Sequence, residues 1–332
     1  MSDGLNIKIR IDLDRIRRNL VAIRNESAGA KFMLMLKADA YGHGIERVAE
    51  ATEDFVDGFG VVTLKEAVRI REITCVKPIL VNMLLADELS SAIDYDLTIG
   101  LSNASQLERI VVEKERKKAK IHLAVDSGMH RLGFDPCKID DACKALKDAG
   151  VNVCGVYSHL GDHPDVQLKR FTDACDKVRE YFPEAMRHIA STHSYKVAHF
   201  DGIRVGLGAY LGAMSVESEV VASRRVQAGE YIGYGDYLTA KPTNIAVVFG
   251  GYADGVDRER FPSVTARGGR KFKVISVCMD TFLIDTEEIL LNSGETVTLT
   301  DGETLENTAV KMGTIPYVLM TAWKGRIDKI YC

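Results

Sequence analysis

The sequence lacks any apolar run near the roughly 20 residues that a membrane-spanning helix needs, and residues 1–11 contain no apolar core of signal-peptide length. We therefore expect a protein that stays in the cytoplasm and has no membrane partner. Its 7 cysteines are odd in number and include no C-x-x-C pair. This pattern argues against a disulfide framework and against a structural zinc site, and it favours reduced thiols.

The chain is also poor in proline and has no large excess of charge of one sign. It contains 7 prolines in 332 residues, with 46% hydrophobic residues, 27% charged residues and a formal net charge of −4. The one dense charge run, residues 113–118, mixes both signs and is typical of a solvated helix face. The composition is that of an ordinary globular protein, and it gives no reason to expect a nucleic acid as partner.

From about residue 30 to residue 210, short apolar runs alternate regularly with amphipathic stretches. Eight such runs separated by helical patterns predict a parallel sheet with crossover helices, and eight strands close a (β/α)8 barrel. We expect this α/β barrel at residues 10–220. The predicted strands are residues 32–36, 59–62, 79–81, 97–100, 121–126, 151–157, 187–190 and 202–205, and the predicted helices between them are residues 44–51, 64–72, 104–115, 140–149 and 166–181.

The pattern changes after about residue 220, where β-branched, alternating segments are separated by glycine turns. This pattern predicts a mostly antiparallel β domain at residues 221–332. Its predicted strands are residues 239–249, 271–277, 281–285 and 296–299. The N-terminal strand, residues 1–9, is expected to belong to that second sheet, and the extended stretch at residues 7–13 suggests the same pairing. A helix at residues 15–25, which Asp14 could cap, follows it.

Lys37 is the first candidate for chemistry, because it follows the apolar run 32–36. Barrel enzymes keep their catalytic groups at the carboxyl ends of the strands, and a desolvated lysine amine there loses its proton readily. Such an amine can bond covalently to an aldehyde cofactor. A lone lysine at a strand end would more often be solvated. The following segment, with Tyr41, two glycines and a histidine, predicts a turn that approaches a ligand closely.

The segment 37–44, KADAYGHG, resembles the cofactor-lysine motif of alanine racemases. Six further segments resemble the same family in the same order. They are DSGMHRLG at 126–133, SH at 158–159, RVGL at 204–207, GYG at 233–235, GGYADG at 250–255 and CMD at 278–280. The resemblance implies a barrel that binds pyridoxal 5'-phosphate, followed by a β domain, in a homodimer with shared active sites. It also implies an isomerase that makes D-alanine, a cell-wall precursor, from a small amino-acid substrate.

The resemblance also implies two catalytic bases. Racemisation removes a proton from one face of Cα and delivers another to the opposite face, so a base is needed on each side. Lys37, which also holds the cofactor, serves one face, and Tyr234 from a partner subunit serves the other. A tyrosine has a reference pKa of about 10, so it needs a cationic neighbour to act as a base near neutral pH. By resemblance Arg131 approaches both this tyrosine and the substrate carboxylate.

The remaining implied roles concern cofactor and substrate binding. Arg204 matches the arginine that faces the pyridine nitrogen; because an arginine keeps its proton, the ring nitrogen stays largely unprotonated. His159 matches the histidine that packs against the ring and supports this arginine. The cofactor phosphate would be bound by Ser194, by the amides of Gly206 and Leu207 and by Tyr41. In the partner subunit, Tyr252 and the amide of Met279 would line the substrate entrance and hold the substrate carboxylate. The spacing of His159 and His163 could suit a metal, but no other ligand set accompanies it, so we expect no metal site.

Two departures from the family pattern leave questions open. Ala124 stands where many members carry a carbamylated lysine that positions the arginine, so a bound anion or His130 would have to hold Arg131. Trp323 stands at the position where the family has a tyrosine that binds the cofactor phosphate. The preferred amino acid is therefore alanine, serine or a broader set. Two alternative functions remain, a decarboxylase of the same barrel type and a non-catalytic cofactor-binding protein. A decarboxylase does not require an opposed tyrosine base, and a non-catalytic barrel does not require the β domain.

Overall fold

A computed structural model describes residues 5–27, 29–74, 77–161, 163–192, 194–196, 200–235 and 237–332. Residues 1–4 of the predicted N-terminal segment and Cys75 lie outside these ranges. The chain forms two compact units. The first, here called the β unit, comprises the N-terminus to Ile16, Tyr41–His43 and Tyr210–Cys332, and the second, here called the barrel unit, comprises Arg17–Ala40 and Gly44–Ala209.

In the barrel unit, eight described strands close a ring in chain order, and every neighbouring pair is parallel. This confirms the expected barrel. The strands are β2 (Lys31–Met35), β3 (Gly58–Val61), β4 (Ile79–Val81), β5 (Thr98–Leu101), β6 (Lys120–Ala124), β7 (Asn152–Tyr157), β8 (Met186–Ser191) and β9 (Gly202–Val205). Strands buried on both faces read as continuous apolar runs, and β3, β4, β5 and β9 are buried at every residue.

The helices of the barrel unit alternate with these strands. They are Ile45–Thr52, Leu64–Arg71, Leu89–Asp94, Ala104–Val112, Ile139–Asp148, Pro164–Tyr181 and Leu207–Tyr210, which ends at the unit boundary, with short 3-10 turns at Glu53–Phe55, Ala86–Glu88, Arg116–Lys118 and Pro136–Lys138. The helix predicted at 104–115 ends at Val112, and a 3-10 turn occupies part of the mixed charge run. The helix Leu89–Asp94, which is only six residues long, was not predicted.

The helix Leu13–Glu26 begins earlier than predicted and has a different cap. Asp12 Oδ1 accepts a hydrogen bond of 2.7 Å from the Arg15 amide. The expectation that Asp14 caps this helix is therefore wrong: Asp14 lies within the first turn, and Asp12 occupies the position from which a carboxylate reaches the amide three residues on.

The β unit is built on an eight-stranded sheet with the order β13-β16-β15-β14-β17-β10-β1-β18. Strand β1 pairs antiparallel with β10 and parallel with β18, so the N-terminal segment joins this sheet as expected. The other described pairs are antiparallel. The strands are β1 (Ile7–Ile11), β10 (Met214–Val226), β11 (Tyr231–Ile232), β12 (Tyr237–Leu238), β13 (Thr243–Phe249), β14 (Ser263–Ala266), β15 (Lys271–Val277), β16 (Thr281–Glu287), β17 (Thr296–Thr300) and β18 (Ile327–Tyr331).

Several elements of the β unit were not predicted. Strand β10 is 13 residues long and pairs with β1, β13 and β17, yet its polar residues hide the alternation over its second half. Helices form at Leu305–Lys311 and Pro316–Ala322. A small core cluster brings together one residue from each of four strands, β10, β11, β13 and β15, namely Val226, Ile232, Ile245 and Ile275. No helix in the described residues is long and apolar enough to cross a membrane.

Candidate active site

Lys37 follows the buried strand β2 and is half-buried at the carboxyl end of the barrel. Burial, and then the positive charges of Arg131 and Arg204, lower its pKa below the ordinary lysine value, while the Glu66 carboxylate opposes that shift. Within the described part of the chain the Lys37 amine makes no hydrogen bond or ion pair. The site thus presents an amine that loses its proton more easily than an exposed lysine and is not engaged by a neighbour.

The chain turns left-handed immediately after Lys37. The φ angles of Ala38, Asp39, Ala40 and Tyr41 are 53°, 55°, 54° and 55°. Left-handed helical backbone costs an L-residue about 1–2 kcal/mol, and Ala38, Asp39 and Ala40 complete that conformation with ψ angles of 52°, 47° and 51°, so these three residues carry a strain of about 3–6 kcal/mol. Such strain persists only where surrounding contacts hold it, and it concentrates at functional sites. The turn bends the chain sharply at the residue that carries the amine.

Hydrogen bonds within the barrel unit hold this turn. The Ala40 amide donates to the Leu36 carbonyl at 2.8 Å, and the Gly44 amide donates to the Asp39 carbonyl at 2.9 Å. The Asp39 carboxylate accepts from the Ile45 amide at 3.0 Å and faces Arg69 at 3.4 Å. The Ala38 amide donates to Glu66 Oε1 at 2.8 Å. Each end of the turn is therefore fixed to a neighbouring element.

Arg204 lies on β9 and is 5% exposed. Its Nη1 donates to His188 Nδ1 at 2.6 Å and to the His188 carbonyl at 3.0 Å, and its Nη2 donates to the Ser158 carbonyl at 2.5 Å. Its Nε makes no hydrogen bond within the described residues. Burial lowers the pKa of Arg204 to about 10, so the guanidinium stays charged near neutral pH. Among the described barrel residues, Arg204 is thus a fixed cation whose Nε–H has no partner.

Behind Arg204 a polar column runs through the barrel interior. Because the guanidinium can only donate, His188 must accept at Nδ1 and carry its proton on Nε2. That Nε2 is 2.7 Å from Nδ1 of His122, so it donates there and His122 also carries its proton on Nε2. Burial and the charge of Arg204 lower the pKa of His122 to about 3 and that of His188 well below the ordinary value. Both histidines are neutral, and Tyr157 stacks on His188 at 5.3 Å.

Arg131 and His159 share one cavity of about 100 Å³ with Lys37 and Ala124. His159 Nδ1 is 3.5 Å from Arg204 Nη2, and burial with the nearby positive charges lowers the pKa of His159 to about 4. Arg131 is exposed, and it makes no ion pair within the described residues. His130 Nδ1 lies 3.3 Å from Asp126 Oδ2.

A small amide cradle forms where β8 and β9 end. The amides of Gly206 and Gly208 both face Oγ1 of Thr192, at 3.1 and 3.3 Å. Ser194 instead accepts from the Ser191 amide at 3.0 Å, within its own turn. Thr192 was not singled out from the sequence, because two hydroxyl residues in one loop cannot be told apart by spacing. Leu207 is buried directly beside the cradle, and His193 lies outside the described residues.

The other predicted site residues belong to the β unit. Tyr41 is buried and stacks on Tyr210 with ring centroids 4.8 Å apart, while Tyr317 lies 5.8 Å from it. Burial raises the pKa values of Tyr41 and Tyr317, so both phenols remain protonated donors. Trp323 packs edge-on against Phe261, and its indole N–H is buried without a partner among the described residues. Tyr317, not noticed in the sequence, therefore accompanies Tyr41.

Tyr234, Tyr252 and Met279 are exposed on this unit by 76%, 41% and 51%. Tyr234 lies in the turn between β11 and β12. Tyr252 and Met279 lie on two loops that are joined by backbone bonds, such as Tyr252 N to Cys278 O at 3.0 Å. The two loops meet so closely that a Cβ on Gly251 would lie 2.2 Å from that carbonyl oxygen. The loops are thus held in one arrangement, with large side chains projecting from them.

The Asp254 carboxylate reinforces that arrangement. It receives the Gly251 amide at 3.0 Å and pairs with Arg326 at 2.7 Å, and Arg326 reaches Asp280 at 2.9 Å. One arginine therefore links the loop of Tyr252 with the loop of Met279. Across the described residues, no group of three or more histidine, cysteine or acidic side chains could hold a metal ion.

Comparisons with known proteins agree along the whole chain. Two family models match it, "Alanine racemase, N-terminal domain" at residues 11–213 and "Alanine racemase, C-terminal domain" at residues 213–331. The alanine racemase of Salinispora tropica is 34% identical and covers 98% of each chain, and that of Thermobifida fusca is 32% identical and covers 97% of each. The structure of the biosynthetic alanine racemase from Pseudomonas aeruginosa is similar with a TM-score of 0.90, at 28% identity and 99% coverage of each chain.

Proposed function

The chain belongs to the alanine racemase family and is an amino-acid racemase, and from this premise we propose that it interconverts L- and D-alanine with Lys37 and Tyr234 as its two bases. The observation that carries the proposal is the half-buried Lys37 amine, which has a lowered pKa and no partner among the described residues. An amine in that state is suited both to bond an aldehyde and to take a proton from carbon.

The barrel residues suit pyridoxal 5'-phosphate as the cofactor. Lys37 would bond its aldehyde, the Nε of Arg204 would face its ring nitrogen, and the Thr192 hydroxyl with the amides of Gly206, Leu207 and Gly208 would hold its phosphate. When bound, this cofactor withdraws electrons from the substrate and so acidifies the hydrogen on Cα. The hydrogen bonds of Arg204 to His188 and Ser158 keep the guanidinium oriented and charged. It therefore keeps its proton and leaves the ring nitrogen largely unprotonated, which tempers the electron withdrawal.

Ser194 and Tyr41 were both expected to bind the phosphate. We propose that Thr192 takes the role expected of Ser194, because the Thr192 hydroxyl lies against the amides of Gly206 and Gly208, whereas the Ser194 hydroxyl lies against the Ser191 amide in its own turn. Tyr41 keeps its proposed role as a donor, because its buried phenol stays protonated. Tyr317 is a second protonated phenol next to Tyr41. In this proposal it replaces Trp323, to which the resemblance gave the role of binding the phosphate.

The second base requires a partner subunit. A tyrosine exposed by 76% is unusual for a side chain that takes part in proton transfer, because catalytic groups act in water-excluded sites. The exposure of Tyr234, together with that of Tyr252 and Met279, supports a homodimer in which these residues complete the site of the other subunit. Arg131 would then bind the substrate carboxylate and lie near Tyr234, where a cation lowers the cost of the phenolate.

The test uses the purified protein and Lys37→Ala. The wild type should absorb in the visible region when loaded with pyridoxal 5'-phosphate and should convert L-alanine to the racemate, as measured by chiral chromatography, with L-serine as the comparison substrate. Lys37→Ala should lose both the band and the activity. A second lysine variant outside the site, Lys31→Ala at the opposite end of β2, is the matched control. An unchanged spectrum in Lys37→Ala would sink the assignment.

A further inference from the structure

Glu66 makes more hydrogen bonds than a helix start requires. It is the third residue of the helix Leu64–Arg71, where its Oε2 accepts from the Thr63 amide at 3.1 Å and completes a capping box. The same oxygen accepts from the Val62 amide at 3.0 Å. The other oxygen, Oε1, leaves the helix altogether and accepts from the Ala38 amide at 2.8 Å. One carboxylate therefore joins the helix after β3 to the residue that follows Lys37.

The Ala38 amide is the point at which the chain enters the left-handed turn. Ala38 has φ 53° and ψ 52°, a conformation that alanine avoids, and Asp39 and Ala40 repeat it. The bonds described above hold the far side of the turn through Asp39 and Ala40. Glu66 holds the near side, one residue from the amine. Releasing the Ala38 amide would let the backbone relax toward a right-handed path and redirect the Lys37 side chain.

Glu66 also acts on Lys37 through its charge. The charges that act on this amine are those of Arg131, Arg204 and Glu66, and the other described titratable groups that line its cavity are Tyr157, Asp126 and the neutral His159. The two arginines lower the pKa of Lys37, and Glu66 raises it. The carboxylate therefore limits how far the other neighbours lower the pKa of Lys37.

We infer that Glu66 is a positioning residue for the reaction, which fixes the left-handed turn through the Ala38 amide and thereby aims Lys37. The inference rests on the proposed function, because it gives Lys37 a direction that matters only if its amine reacts. Glutamine cannot replace the carboxylate, because its single acceptor oxygen can serve the Val62 and Thr63 amides or the Ala38 amide but not both. Its NH2 group would then face an amide N–H.

The experiment compares Glu66→Gln with a matched control, Glu88→Gln. Glu88 makes the same kind of bond at another helix start, accepting from the Leu85 amide at 2.7 Å, without a contact to the turn after Lys37. In Glu66→Gln we expect kcat for alanine to fall about 10- to 100-fold, because small misplacements of a reacting group have effects of that size, while KM changes less than about 3-fold. The pH midpoint of the visible band of the loaded protein should move down by about half a unit, because a negative charge is lost. Glu88→Gln should leave kcat and the midpoint at their wild-type values.

A double variant separates positioning from general damage. Glycine adopts left-handed backbone without penalty, so Ala38→Gly should recover at least about 3-fold of the kcat lost in Glu66→Gln. The same double variant serves if Glu66→Gln alone does not fold. The inference is overturned if Glu66→Gln has wild-type kcat and midpoint, or if Ala38→Gly recovers nothing. These results are distinct from failure of the proposed function, in which the wild-type protein would not racemise alanine or Lys37→Ala would keep its visible band.

Discussion

The buried column from Arg204 through His188 to His122 makes the stability of the barrel depend on pH in a calculable way. His122 has a pKa of about 3 in the folded protein, against 6.5 for an unperturbed histidine. Below the unfolded value, the unfolded chain binds a proton at this residue that the folded chain does not bind. The contribution to stability is therefore fully present above about pH 6.5 and is lost as the pH falls.

The size follows from the same values. Each pH unit below 6.5 costs about 1.4 kcal/mol for one such histidine, so lowering the pH to about 5 costs about 2 kcal/mol at His122. In His122→Asn the amide oxygen can still accept from His188 Nε2, but the proton-binding site is gone. The pKa of His188 is lowered in both proteins, so its contribution to the pH dependence of stability cancels when the two proteins are compared.

The assay is urea unfolding of the wild type and His122→Asn at about pH 7 and about pH 5. We expect the free energy of unfolding of the wild type to fall by about 2 kcal/mol more than that of the variant over this interval. Parallel losses in the two proteins would refute the reasoning. They would mean that His122 titrates alike when folded and unfolded, and that the proton positions assigned along the column are wrong.

Two further predictions concern binding. Thr192→Val should weaken pyridoxal 5'-phosphate binding about 10- to 100-fold, measured by titration of the cofactor-free protein, because the phosphate loses the hydroxyl proposed to donate to it beside the Gly206 and Gly208 amides. Ser194→Ala should change binding less than about 3-fold, and a larger loss in that variant would restore the original assignment. Gly251→Ala should lower the free energy of unfolding by about 1–3 kcal/mol, because the new Cβ forces apart the loops that carry Tyr252 and Met279. For the same reason it should raise KM for alanine more than it lowers kcat, and a wild-type KM would contradict the role given to those loops.

The barrel could be predicted because its strands are buried on both faces and so read as apolar runs separated by helical patterns. Most amphipathic helices were predicted to within one or two residues, as at Ile139–Asp148, although the helix that begins at Ala104 ends three residues earlier than predicted. The short helix Leu89–Asp94 was missed. The second half of β10 was not predicted, because Ser223, Arg224 and Arg225 are consecutive polar residues that interrupt its alternation. Whether these segments form a helix or a strand depends on which side chains the fold buries, and the local sequence pattern contains too little of that information.

The residues of the candidate site were likewise predicted only in part. Lys37 could be chosen because it follows an apolar strand and begins a dense motif. The left-handed turn could not be predicted, because glycine is the usual signal for positive φ and the turn contains no glycine at residues 38–41. Glu66 looked like an ordinary helix start, since its second oxygen reaches a residue 28 positions away. Thr192 and Tyr317 were missed because only the folded chain distinguishes them from Ser194 and Trp323.

The two-base claim is tested most directly by following exchange of the Cα proton with D2O, starting separately from L-alanine and from D-alanine, in the wild type and in Tyr234→Phe. Proton NMR gives the exchange rate and chiral chromatography gives the conversion. Because each base serves one face of Cα, the account predicts that Tyr234→Phe slows exchange from one enantiomer far more than from the other. Equal and small effects on both enantiomers would contradict it, and they would leave Lys37 without an opposing base.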